Sequence, residues 1–195
     1  MSPETVQDVA ALQRACFPPP FPEELLWTPA HLFSHLRHFP AGQFVARTEN
    51  QVVGSASSLI ISQAAWESHG DWETVTGGLG LSNHDPAGAV LYGADISVHP
   101  SWRGRGVAKL LYQARFELVR RLGLELYGTV CRIPDFVASG FSHPLTFADA
   151  VAHSTAEDRT LSPLLKMGLT YRGIIEKHMD DPESGHAAAI LEWRP

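Results

Sequence analysis

The chain has 195 residues, 44% hydrophobic and 18% charged, the balance of an ordinary globular protein, and residues 1–195 are expected to form a single domain. A formal net charge of −6 argues against a nucleic-acid partner, which would need a broad basic face, and leaves room for a local basic pocket that takes a small anion. No apolar run approaches the roughly 18 residues of a membrane span, and MSPETVQDVA has no basic segment followed by an apolar one, so a cytoplasmic protein without a membrane partner is expected.

From Thr5 to Cys16, Val6, Val9, Ala10, Leu12 and Ala15 approximate helical spacing, and the following FPPPFP ends the helix because proline has no amide to donate. A second helix runs from Thr28, an N-cap followed by proline, to His38. QFVARTENQVVGSASSLII reads as a hairpin turning at Glu49-Asn50. Residues 62–88 are polar, glycine-rich and marked by Trp66 and Trp72; they read as a long excursion with one helical turn. AVLYGADISV is a strand. After a glycine-arginine turn, Val107, Leu110, Leu111, Ala114, Leu118, Val119 and Leu122 form the apolar stripe of a helix closed by Gly123. Lys109, Gln113, Glu117, Arg120 and Arg121 face elsewhere, with Glu117 set to pair with Arg121. LELYGTVCRI is another strand, helices follow over 146–156 and 161–167, and strands over 171–178 and 186–193 flank the turn DDPESG. This order describes a mixed α/β (α+β) domain, one central mixed β-sheet flanked by helices on both faces. The cysteines, Cys16 and Cys131, form no CxxC and are expected as free thiols.

The turn lies in SVHPSWRGRGVAKLL. A strand ending at Val98 and a helix entered near Arg105 aim unpaired helix amides, and the positive end of the helix dipole, at whatever sits between them. Gly104 and Gly106 let a ligand approach the main chain, and Arg103 and Arg105 add mobile positive charge. A phosphate or pyrophosphate suits all three features, and a structural turn with incidental arginines is the alternative. There is no GxxxxGK[ST] and no GxGxxG.

Arg103-Gly104-Arg105-Gly106-Val107-Ala108 resembles the [Gln/Arg]-x-x-Gly-x-[Gly/Ala] signature of the GNAT superfamily of N-acetyltransferases. The order of elements is similar over nearly the whole chain, including LLKMGL at the family's helix-to-strand turn. LYGADISVHPSWRGRG and DDPESGHAAAILEW also look like GNAT modules found beside nitrilase-type carbon–nitrogen hydrolase domains. The resemblance implies that acetyl-CoA is the co-substrate, with no metal. Amides from Gly104 to Ala108, including Val107, would hold its pyrophosphate under Arg103 and Arg105, while Ile96, Ser97 and Val98 pair with the pantetheine arm as a further strand would. An amide of that strand would stabilise the thioester oxyanion as the amine attacks. The implied activity is acetyl transfer to the amine of a small molecule in a ternary complex. A catalytically weak CoA-binding regulatory module, or a protein lysine or N-terminal acetyltransferase, is the alternative; homodimerisation is a family habit.

The family often carries its base on the strand before this turn. Counting back from Val98 by alternation, that face offers Ile96, Ala94 and Tyr92, none of them a carboxylate. Asp95 is the candidate base, with a structural carboxylate bonded to neighbouring backbone or loop as the alternative; simple alternation puts it on the opposite face unless a bulge re-aims it. The family's tyrosine acid is replaced by Leu164, which leaves Tyr92, Ser162 or water, with Tyr92 first because it lies on the splayed strand. His31, His35 and His38 share a helix face that could bind zinc, but a packing face beside the acceptor is the better reading. Trp66 and Trp72 are either an acceptor wall or loop anchors. Many relatives also open with a strand before the first helix, so an edge strand is expected to be missing or to lie upstream.

Overall fold

The computed structural model describes residues 1–19, 21–178 and 180–195. Helix α1 (Val6–Cys16) is followed by α2 (Pro29–His38), whose N-cap Thr28 accepts from the His31 amide while the His31 ring accepts from the Thr28 amide. Strands β1 (Gln43–Arg47) and β2 (Val52–Ile61) form the expected hairpin. The excursion is more ordered than its composition suggests. It folds into α3 (Gln63–Glu67), capped by Ser62, and α4 (Trp72–Thr76), capped by Asp71. Strand β3 (Val90–Val98), helix α5 (Val107–Leu122) and strand β4 (Leu126–Arg132) follow. Helix α6 begins at Pro144 rather than 146, because the His143 ring caps its first turn, and ends at Ala152. Then come α7 (Leu161–Lys166), β5 (Thr170–Ile175) and β6 (Ala188–Trp193). Ahead of α1, Pro3–Thr5 make a short 3-10 turn rather than a strand.

The strands form one six-stranded sheet in the order β1-β2-β3-β4-β6-β5. Every neighbouring pair is antiparallel except β3–β4. On one face, Val53 and Ala56 of β2 pack against Val107 and Leu111 of α5, and α6 and α7 join the same side through Phe147, Ala148, Val151, Leu161 and Leu164. On the other, Val52 packs under α1 and α2, and Leu59, Ile61, Val90 and Tyr92 pack under Trp66 of α3 and Val75 of α4. The mixed sheet with helices on both faces is therefore the fold that the order of elements described.

Helix α5 buries a different stripe from the one its apolar residues outline. Leu110 is 63% exposed and Leu122 43%, whereas Tyr112, Arg115 and Phe116 are buried. Glu117 pairs with Arg120 at 3.6 Å rather than with Arg121, and Arg120 also lies 4.8 Å from the centre of the Trp193 ring.

The parallel pair β3–β4 is joined over only four rungs, Val90↔Leu126 to Gly93↔Thr129. Beyond Gly93 the two strands go separate ways, and Thr129 Oγ1 donates to the Gly93 carbonyl at 3.0 Å at the point of parting. A side chain cannot be accommodated there: a Cβ at Gly93 would sit 2.0 Å from the Tyr127 hydroxyl. Gly93→Ala is expected to cost about 1–3 kcal/mol through overpacking, measured by urea or thermal unfolding.

Candidate functional site

The site is built where β3 leaves β4. Pairing of β2 with β3 shifts between Ser57 and Ser58: Ser58 opposes Gly93 and Ser57 opposes Asp95, so Ala94 is an extra residue, a β-bulge. The bulge resets the alternation. Ile96 and Val98 turn toward α5, beside Val107 and Leu111. Asp95 and Ser97 turn toward α1, joining the face that carries Tyr92. Simple counting back from Val98 separates Asp95 from Ile96 and Val98 as the structure does, but it places Tyr92 with them; the bulge, set by strand pairing across the sheet, moves Tyr92 onto the Asp95 face.

Asp95 is held in a small polar network under α1. The Gln13 amide donates to Asp95 Oδ2 at 3.2 Å and to Ser97 Oγ at 3.0 Å, and Ser97 Oγ donates to Asp95 Oδ2 at 3.1 Å. Burial pushes the Asp95 carboxyl up to about 6, against the opposing pull of the Arg115 charge and these hydrogen bonds. Such a group is mostly ionised at neutral pH yet can take up and lose a proton there.

Arg115, which the sequence reading leaves unassigned, is 1% exposed beneath the same bulge. Its guanidinium donates to Ser58 Oγ at 3.0 Å, Tyr127 OH at 3.1 Å, the Ser57 carbonyl at 2.7 Å and the Asp95 carbonyl. From the opposite face, the Trp72 indole donates to the Ala94 carbonyl at 3.0 Å. Trp66 is an anchor: it is 3% exposed and its indole donates to Glu192 at 2.9 Å.

Past Val98, the His99 amide donates back to Val53 at 3.0 Å, Pro100–Trp102 make a 3-10 turn, and α5 opens at Gly106. Gly104 and Gly106 have φ of +72° and +82°, the left-handed region that favours glycine. A Cβ built on either would meet nothing within 4 Å, so the main chain faces open space. Arg103 Nε donates to the Val98 carbonyl at 3.2 Å, and Arg105 lies over the Trp102 ring at 5.1 Å. Beside the turn is a cavity of about 240 Å³ lined by Ile96, Ser97, Val98, Arg103 and Ala108, together with Cys16 and Phe17 at the end of α1. Of the predicted ligand-binding residues, Gly104, Arg105 and Gly106 form the turn beyond this cavity, and Val107 faces the core. The proline run after Cys16 marks where α1 ends, but nothing in it says that the helix ends against β3. Burial raises the Cys16 thiol above its ordinary value, with Arg103 pulling the other way.

Tyr92 lies on the paired part of β3, opposite Gly128, and not on the splayed part that motivated its choice as acid. It is 2% exposed among apolar neighbours, and burial raises its hydroxyl well above the usual range. Ser162 Oγ accepts from the Asp158 amide, and Leu164 is buried. His31, His35 and His38 do not converge. His35 is buried against Trp27 with Nε2 2.7 Å from the Leu79 carbonyl, and burial pushes it down to about 4. Among the described residues no group of three His, Cys, Asp or Glu side chains could hold a metal ion, and no helix is long and apolar enough to cross a membrane.

The turn that follows β5 is clamped over the end of β4. Arg132 Nε and Nη2 donate to the two oxygens of Asp181, each at 2.6 Å. Burial would raise the Asp181 carboxyl, but the bonds from Arg132 and Ser184 outweigh it and hold it below the ordinary value. The stabilisation is present above the ordinary carboxyl range and is lost as pH falls below it. Asp181→Asn is expected to cost about 1–2 kcal/mol at pH 7, and urea unfolding should show the gap from wild type closing toward pH 3.

Comparison with known proteins agrees with this architecture. Residues 6–141 match the acetyltransferase (GNAT) family. Over 192 residues the chain is 32% identical to the uncharacterized N-acetyltransferase YkwB of Bacillus subtilis, covering 97% of this chain and 84% of YkwB. It is 34% identical over 192 residues to the probable hydrolase YhcX of the same organism, covering 96% of this chain and only 36% of that protein. Among solved structures, the GphF GNAT-like decarboxylase in complex with isobutyryl-CoA superposes with a TM-score of 0.77 at 24% identity, covering 100% of this chain and 96% of that one.

Proposed function

Because the chain belongs to the acetyltransferase (GNAT) family, we propose that it transfers the acetyl group of acetyl-CoA to the amine of a small molecule, with both substrates bound at once. The observation that carries this reading is the junction itself: a bulged strand bearing a partly buried carboxylate, splaying from its neighbour and running directly into a glycine-arginine helix start.

The open turn fits the pyrophosphate of CoA. The first amides of α5, a 16-residue helix, have no partners within the helix, and Gly104 and Gly106 leave the approach to them clear. Arg103 and Arg105 supply the countercharge. The splayed edge of β3, at Ile96, Ser97 and Val98, suits the pantetheine arm, whose amides pair with an exposed strand edge as a further strand does.

An alkylamine has a pKa near ~10 and is largely protonated at neutral pH, so a base must free its lone pair. Asp95 takes that proton, directly or through one water. The amine nitrogen then forms its bond to the acyl carbon, the carbon–sulfur bond breaks, and the electron pair leaves on the CoA sulfur. As the adduct collapses the nitrogen sheds its second proton, which passes through water to the departing thiolate; with a thiol pKa near ~8.5 that thiolate needs no further acid, so Tyr92 is given no proton step. Holding both substrates together makes the attack effectively intramolecular. Trp72 of α4 is bonded to the Ala94 carbonyl at the bulge, and on this reading the excursion that carries it borders the acceptor side, which favours a small amine over a protein terminus.

The test is calorimetry with acetyl-CoA followed by free-thiol release over a panel of primary amines and N-terminal peptides. Acceptor-dependent release with amines supports the reading, and release with peptides alone replaces the acceptor class. Binding without release points to the regulatory CoA-binding module, and absence of binding sinks both. Because GphF is described as a decarboxylase, carbon dioxide release from malonyl-CoA without an acceptor is a further arm; a positive result there replaces acyl transfer as the main activity.

A further inference from the structure

We propose that Arg115 is a positioning residue of this site: from behind the sheet it pins the β3 bulge and so holds the Asp95 carboxylate on the face where the acceptor amine is deprotonated. The inference deepens the reading of Asp95 as base and rests on it.

A fully buried guanidinium calls for explanation, because taking it out of water costs several kcal/mol and a well-packed apolar side chain of similar volume usually stabilises a core better. Here the four bonds of Arg115 all go to neutral oxygens, so no carboxylate takes its charge directly. What they share is the bulge. Nη2 bridges the carbonyls of Ser57 and Asp95, the two residues that face each other at the rung where the register shifts. A bulge disrupts the local ladder, and buried carbonyls left without a ladder partner need another donor. The planar fork of arginine reaches two strands at once, which lysine cannot do. Tyr112 and Tyr127 flank the guanidinium at 5.5 and 5.6 Å, so its rotamer is itself fixed.

Trp72 completes the clamp by holding the Ala94 carbonyl from the other face. Two successive carbonyls are thus held from opposite sides of the sheet, and the side chain between them is left one direction, toward Gln13 and Ser97. The charge adds to the geometry. Facing Asp95 are the neutral Gln13 and the Cys16 thiol from α1 and Ser97 from its own strand, while from behind the sheet Arg115 of α5 is, among the described residues, the one cation that opposes the effect of burial on the carboxyl.

The experiment compares Arg115→Met, Arg115→Lys and wild type, with folding checked by circular dichroism. Asp95 is titrated by carbon-13 NMR of its carboxyl, without ligand, and the pH profile of turnover is recorded with acetyl-CoA and an amine from the panel. In a folded Arg115→Met protein, loss of the charge should move the Asp95 titration up by about one unit and carry the acid limb of the profile with it. Turnover at pH 7 should fall about 10- to 100-fold, as a misplaced base predicts, while acetyl-CoA affinity stays within about threefold. Arg115→Lys keeps the charge and loses the fork, so the titration should stay near wild type while turnover falls and the amide signals of Asp95 and Ile96 shift. A folded Arg115→Met protein with unchanged Asp95 titration and turnover overturns the proposal. If that variant does not fold, Arg115→Lys decides: unchanged turnover and bulge amides overturn it, and the split supports it. Failure of the base reading looks different, since Asp95→Asn would then keep full turnover whatever Arg115 does to the Asp95 titration.

Discussion

Replacing Gly106 with aspartate is expected to weaken acetyl-CoA binding at least about 100-fold, a loss of some 2.7 kcal/mol in calorimetry, while the protein stays folded. Aspartate is among the preferred N-cap residues, and its charge is favourable at a helix N-terminus, so α5 should tolerate it. The left-handed conformation, with φ of +82°, adds a strain of about 1–2 kcal/mol for a residue with a Cβ. What the helix gains, the ligand loses, because the new carboxylate accepts from the amides, and meets the positive end of the dipole, that a phosphate would otherwise use. Gly106→Asn separates the effects: it carries the same bulk and strain without charge. Equal loss in both variants would show that space, not charge, makes the site. Unchanged binding in Gly106→Asp, with Arg103→Ala also unchanged, would remove the anion site from the turn.

The second large effect is at Asp95. Asp95→Asn should lower turnover by about 10²- to 10⁴-fold, the range for loss of a positioned base, with acetyl-CoA affinity nearly unchanged. In the wild type, activity should rise with pH through about 6 as the carboxyl ionises, and that limb should vanish in the variant. Stability should change in the opposite sense. A carboxyl raised in the folded state from its ordinary 3.8 to about 6 costs nothing below the lower value; the destabilisation grows as pH climbs from the lower value to the higher one and keeps its full size above it. Asp95→Asn should therefore be more stable than wild type at pH 7 to 8, by something on the order of 1–3 kcal/mol, with the advantage gone by pH 4. Lower activity with higher stability is the signature of a group kept for chemistry at a cost to the fold. A variant less stable than wild type at pH 8 would mean that the Gln13 and Ser97 contacts outweigh burial.

Local rules read most of this protein well. The turn around Gly104 and Gly106, the Thr28 cap, the hairpin and the Gly123 stop are each written in a few adjacent residues, and the order of elements follows from them. The half of the site around Asp95 is not written locally. The bulge at Ala94 exists because Ser57 pairs with Asp95 while Ser58 pairs with Gly93, a relation between segments about 40 residues apart that no period-2 count along β3 can see. Arg115 escaped for a related reason. On a helix whose other charges face water, an arginine reads as one more solvated residue until the strands behind it show carbonyls in need of a donor. The converse held for Leu110 and Leu122, apolar at the right spacing yet 63% and 43% exposed, because the stripe that α5 buries runs through Leu111, Tyr112, Arg115 and Phe116. The excursion reads as holding one helical turn where the structure has two, α3 and α4, because five residues carry too little periodicity, although Ser62 and Asp71 are good caps in plain sight.

The early parting of β3 and β4 has a consequence for how the protein behaves between turnovers. Past Gly93 and Thr129, residues 94–98 and 130–132 no longer pair with each other, so an open strand edge lies inside the sheet instead of at its rim. Edges of that kind invite addition by any extended segment, including one from another molecule of the same protein. A strand-like ligand seated there would therefore act as a guard as well as a reactant. Shelf life and resistance to clumping should track how fully the cleft is occupied, with dilute, ligand-stripped samples the most fragile, because whatever binds only the folded form also raises its apparent stability.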